Sequence, residues 1–182
     1  MLFNKDIRSN SLKSYGCIVA QEMNKTIRVF CTKPSGIVLR KLMEDLQEEE
    51  LDVRMMDSSL ELDIETPTWE KTTFACGDGS PPFTIEHYIS GMQDKKIEDE
   101  TKRFLEMLEE TEESWGKREV LVYIKMTREL FVIRSKGDVG KQTSEVINYC
   151  GELFTLLGEG IVQIDGEGFR KKGKLILPFA KF

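Results

Sequence analysis

The chain of 182 residues carries one histidine and four cysteines, so thiol or imidazole chemistry has few places to occur. The stretch FACGDGSPPFTIEHY, residues 74 to 88, holds both Cys76 and His87. A cysteine close to a histidine suggests a thiolate–imidazole pair, because a thiol needs a base to become a nucleophile near neutral pH. Here both residues sit on one short stretch, and no third residue offers to orient the imidazole. Gly77, Asp78, Gly79, Pro81 and Pro82 between them are what a chain needs to turn and to stop a strand or helix. A connecting loop is the expectation, with a Cys76/His87 thiol enzyme as an alternative.

The segment RSKGDVGKQTSE, Arg134 to Glu145, runs from a strand-like stretch into a helical one. It resembles a Walker A phosphate loop in its Gly140-Lys141. Ser135 stands where the first glycine belongs, Gln142 where the magnesium-binding hydroxyl belongs, and Thr143 comes one residue late. Only 39 residues follow Thr143, and no apolar strand ending in aspartate offers a second magnesium ligand, so a nucleoside triphosphatase is not the expectation. What survives is a simpler anion site at a helix N-terminus, where backbone N–H groups are unpaired and the helix dipole is positive. It would use Lys136, Gly137, Gly140, Lys141 and Thr143, with Asp138 competing as a helix cap. In IVQIDGEGF, Gly166 and Gly168 lie between two strand-like segments, which fits a hairpin turn and not a dinucleotide fingerprint. No cofactor is implied.

Charge is segregated. From Glu98 to Glu113 there are eight acids against Lys102 and Arg103, so this stretch carries the chain's whole net charge of −6. After Glu167 every charged residue is basic: Arg170, Lys171, Lys172, Lys174 and Lys181. The acidic stretch reads as a solvated helix face, or as a surface for a basic partner. The overall acidity and the lack of a nucleic-acid motif argue against nucleic-acid binding. The cysteines (Cys17, Cys31, Cys76, Cys150) are too scattered for a zinc site and too few for a disulfide scaffold. No apolar run reaches the roughly 18–20 residues of a membrane span, and the N-terminus lacks the pattern of a secretory signal. A cytosolic protein with reduced thiols is expected, without metal and without a membrane.

The elements that must position these residues follow from periodicity. Ser35 is the expected cap of a first helix whose stripe is Leu39, Leu42, Met43 and Leu46. A second helix is expected over about Ile97–Trp115, with Ile97, Thr101, Phe104, Leu105, Leu108 and Trp115 on one face. A third spans about Val139–Leu157 and is ended by Gly158 in the left-handed conformation. Strands are expected at Tyr15–Ala20, Thr26–Thr32, Leu51–Met56, Leu60–Glu65, Val120–Met126, Leu130–Arg134, Gly160–Ile164 and Lys174–Pro178. The pattern implies an α+β fold of mainly antiparallel sheet with three principal helices. Two similar ββαββ units, residues 1–92 and 93–182, would be joined by the acidic helix in one compact body. The uncharged strand at 15–20 invites pairing between subunits, so a homodimer is expected. No catalytic constellation stands out, and the functional expectation is a non-enzymatic binding or regulatory protein acting through protein contact. The alternatives are a binder of, or an enzyme on, a small phosphorylated or anionic ligand at 136–143, and the thiol enzyme.

Overall fold

A computed structural model describes residues 25–56 and 64–179. Among them, eight strands form one antiparallel sheet: β1 (Lys25–Cys31), β2 (Val53–Met55), β3 (Lys71–Cys76), β4 (Phe83–Ile89), β5 (Glu129–Ser135), β6 (Gly160–Ile164), β7 (Gly168–Lys171) and β8 (Lys174–Pro178). Their order across the sheet is β2-β3-β4-β5-β1-β6-β7-β8. Four helices accompany them: α1 (Leu39–Glu48), α2 (Asp94–Glu110), α3 (Trp115–Lys125) and α4 (Lys141–Leu157). None is long and apolar enough to cross a membrane.

The centre of the sheet is β1, paired with β5 from Lys25↔Ser135 to Cys31↔Glu129 and with β6 on its other side. Side chains alternate across a strand, so β1 supplies both faces of the sheet. Ile27, Val29 and Cys31 point into a core with Leu39, Leu42 and Leu46 of α1 and Val146, Cys150 and Phe154 of α4. Phe30 points the other way, into a core with Phe104 and Leu108 of α2 and Val120 and Ile124 of α3. The result is three layers, with the sheet buried between two pairs of helices. Strands from both halves of the chain alternate at its centre.

The α+β class and the antiparallel sheet stand as expected; several elements differ. Val120–Met126 is helical, not a strand. Ser114 starts α3 by accepting from the Lys117 N–H at 3.1 Å, and Gly116, Val120 and Ile124 form a buried line at four-residue spacing. The acidic helix correspondingly ends at Glu110, and Trp115 belongs to α3, where it is 61% exposed instead of inward-facing. FACGDGSPPFTIEHY is a hairpin of β3 and β4, not simply a loop. Ser35 does not cap α1, which begins at Leu39 after Val38. Gly158 has φ −89°, and the left-handed residue is Glu159 at φ 48°. Glycine is needed at 158 because a Cβ there would collide with the Cys31 side chain. Leu157 faces outward. Residues 25–89 read strand, helix, three strands, and residues 129–178, which follow α2 and α3, read likewise, so the described residues do not confirm the ββαββ pattern. In the first half the strand after the helix, β2, lies at the sheet's edge, whereas in the second half β6 lies beside the centre. The expected strand at 15–20 and most of that at 60–65 lie outside the described residues.

Candidate functional site

Two candidate regions from the sequence meet in space, though 65 residues separate them. The turn between β3 and β4 folds over the N-terminus of α4, and Asp78 occupies the place an anion would take. Its Oδ2 accepts from the Thr143 N–H and its Oδ1 from the Thr143 hydroxyl, both at 2.9 Å. Ser80 Oγ accepts from the Gly140 N–H at 2.7 Å. These are the orphan donors of a helix N-terminus, satisfied from across the fold in place of the expected Asp138. A Cβ on Gly140 would lie 2.5 Å from the Asp78 carboxylate, so glycine lets the two segments close. The Thr143 N–H, helped by Ser80, holds the Asp78 carboxyl down at about 2. An incoming phosphate would have to displace this carboxylate. Lys136 and Lys141 are exposed, and Lys141 reaches Glu145 at 3.5 Å. Gly137, at φ 62°, bends the loop.

Cys76 and His87 are not brought together. The His87 N–H donates to the Glu70 carbonyl, so along β3 the histidine lies six residues from Cys76, about 20 Å. Burial raises the Cys76 thiol above its ordinary value, and nearby Asp78 and Asp52 add to the rise, which disfavours the thiolate. Burial likewise raises Cys31, and Cys150 to about 12.

His87 is instead a fully buried member of a polar cluster. Its Nδ1 lies 3.0 Å from the Trp69 carbonyl and its Nε2 2.6 Å from Glu129 Oε1. A carbonyl can only accept, so Nδ1 carries a hydrogen and a single proton is left between Nε2 and Glu129. Glu129, 1% exposed, also accepts from the Ser35 N–H at 2.5 Å and hydroxyl at 3.0 Å. The imidazole stacks on Phe131, with ring centroids 4.4 Å apart, and Trp69 covers it at 4.5 Å. Every polar atom of the ring is committed and none reaches solvent. The cluster joins β4, β5 and the segment before α1.

On the opposite face, Glu100 of α2 sits between two arginines of the sheet. It accepts from Arg28 Nε at 2.6 Å and from Arg134 at 2.8 Å. Arg28, 2% exposed, also donates to Gln163 at 2.8 Å and Asp165 at 2.9 Å. Burial would raise the Glu100 carboxyl, but the two guanidinium groups outweigh it and hold it below its ordinary value. The acidic helix is thus tied down by one of its acids, while Glu106, Glu109 and Glu110 face solvent.

The outer face of α3 has a different character. Trp115, Val122 and Met126 are 61%, 52% and 55% exposed, and they lie on one side at spacings of seven and four residues. Arg118, Lys125 and Arg128 share that exposure, so every exposed residue from Trp115 to Arg128 is apolar or basic. Sequence reasoning missed this face because the segment read as a strand. Elsewhere, a groove of about 280 Å³ lined by Leu39, Met43, Met55 and Ile64 lies between α1 and β2, with Arg40 and Glu44 at its rim. Among the described residues no three acids, histidines or cysteines cluster to hold a metal ion. Comparisons with family models, curated proteins and solved structures return no match to this chain.

Proposed function

We propose that this is a non-catalytic binding or regulatory protein that works by protein–protein contact. The observation that carries this reading is the outer face of α3, where a tryptophan, a valine and a methionine are kept in solvent on a helix that buries its opposite side. Aromatic residues and methionine are enriched where proteins meet, and the polarizable methionine adapts to varied partners. Of the groups that the sequence offers for chemistry, Gly140 and Thr143 donate to Ser80 and Asp78, and His87 is engaged by Trp69 and Glu129. The cytosol suits this role, because the described cysteines are all free. The test is a photo-crosslinking amino acid placed at position 122 of the full chain in cells, with position 172 as control. A discrete protein adduct is expected from 122 alone, and it should vanish when Trp115→Glu is added. No adduct at 122 refutes the reading.

A further inference from the structure

Resting on that reading, we propose that the outer face of α3 docks an acidic amphipathic helix of a partner protein. The face is short and its chemistry is one-sided. From Trp115 to Met126 there are eleven residue steps, about 16.5 Å, or three helical turns. Arg118 and Lys125 flank the apolar line seven residues apart, about 10.5 Å, with Arg128 beyond its end. A helix laid along this line needs apolar residues at three- and four-residue intervals facing Trp115, Val122 and Met126. It needs carboxylates two turns apart to meet Arg118 and Lys125.

The acids nearest this face are already engaged or lie off it. Glu119 pairs with Lys171, and Glu113 with Lys117 at 2.9 Å. Glu109, Glu110 and Glu112 gather before Trp115, where they would repel a polyanion broad enough to overrun the three turns. That disfavours a nucleic acid or an anionic membrane in a chain of net charge −6, while a helix of matching length avoids the acids. Two copies of α3 would set only apolar groups and cations against each other, which disfavours self-association here.

The experiment uses the full chain and Trp115 fluorescence, since the other tryptophan, Trp69, is 4% exposed. The probes are two synthetic helical peptides with one leucine stripe, flanked by glutamates in one and lysines in the other. A thymidine oligonucleotide and phosphatidylserine vesicles complete the set. The glutamate peptide is expected to shift the emission to the blue and saturate, and the lysine peptide to leave it unchanged. Arg118→Glu with Lys125→Glu should weaken the glutamate peptide at least tenfold at low salt, with unchanged circular dichroism, because both residues are exposed. Trp115→Phe should abolish the signal. Equal binding of both peptides, a response only to oligonucleotide or vesicles, or a dimer by light scattering that Trp115→Glu dissociates would each overturn the proposal. An adduct at position 122 without glutamate-peptide binding would reject this partner chemistry and leave the protein-contact reading standing. Absence of the adduct would remove both.

Discussion

At the scale of single residues, the Glu129–His87 pair makes a prediction that depends on counting hydrogens. In Glu129→Gln the amide nitrogen can donate to Nε2 of a neutral His87 and the amide oxygen can still accept from the Ser35 N–H. This variant should cost less than about 1 kcal/mol in urea denaturation, because no buried group loses its partner. Glu129→Ala strands both groups and should cost about 3–5 kcal/mol. Equal losses would refute the arrangement. Asp78 gives a second prediction. Its carboxyl titrates lower in the folded chain, at about 2, than in the unfolded chain, at about 4. The stabilisation it contributes is therefore complete above the unfolded value and is lost as pH falls from about 4 through about 2. Asp78→Asn should lower the melting temperature by roughly 2–4 °C at pH 7, and the difference from wild type should shrink below pH 4 and vanish only below about pH 2. His87, Thr143 and Gly140 were legible in the sequence as special residues. Their partners were not, because Glu129 and Asp78 contact them across 42 and 65 residues and no local spacing records such a contact.

At the scale of elements, α1, α4 and the acidic helix were legible from their apolar periodicity, while α3 was not. Its sequence VLVYIKM is rich in β-branched and aromatic residues, which favour strands locally. Packing decided otherwise, since Gly116 lets α3 approach β8 so closely that a Cβ would collide with the Ile176 carbonyl. Gly116→Ala makes the contest measurable. Helix propensity alone would stabilise the variant by about 1 kcal/mol. The collision should reverse the sign, to a loss of about 1–3 kcal/mol by chemical denaturation. Net stabilisation would contradict the packing of α3 on β8. For α2, Glu100→Ala leaves Arg28 buried with only Gln163 and Asp165 and should cost about 3 kcal/mol. Glu109→Ala, on the exposed face, should change stability by less than about 0.5 kcal/mol.

At the scale of the whole molecule, the hairpins β3–β4, β6–β7 and β7–β8 are local, but the sheet's centre is not. A division at residues 92 and 93 would separate β1 from both its neighbours, β5 and β6. Residues 1–92 and 93–182 expressed apart should each lack cooperative unfolding by circular dichroism, and mixing them should restore it; autonomous folding of either fragment would refute this. Sheet order was the least legible property, because register at the centre depends on apolar faces meeting from distant parts of the chain. The position of β1 also sets a timetable for synthesis. Its apolar side chains face both ways and leave the ribosome long before their partners exist. At roughly 5–20 residues per second, the hundred or more residues up to β5 and β6 impose a wait of about 5–25 s. For that interval the future centre of the protein is an unpaired strand, and the nascent chain must be shielded by whatever holds it until its C-terminal half emerges.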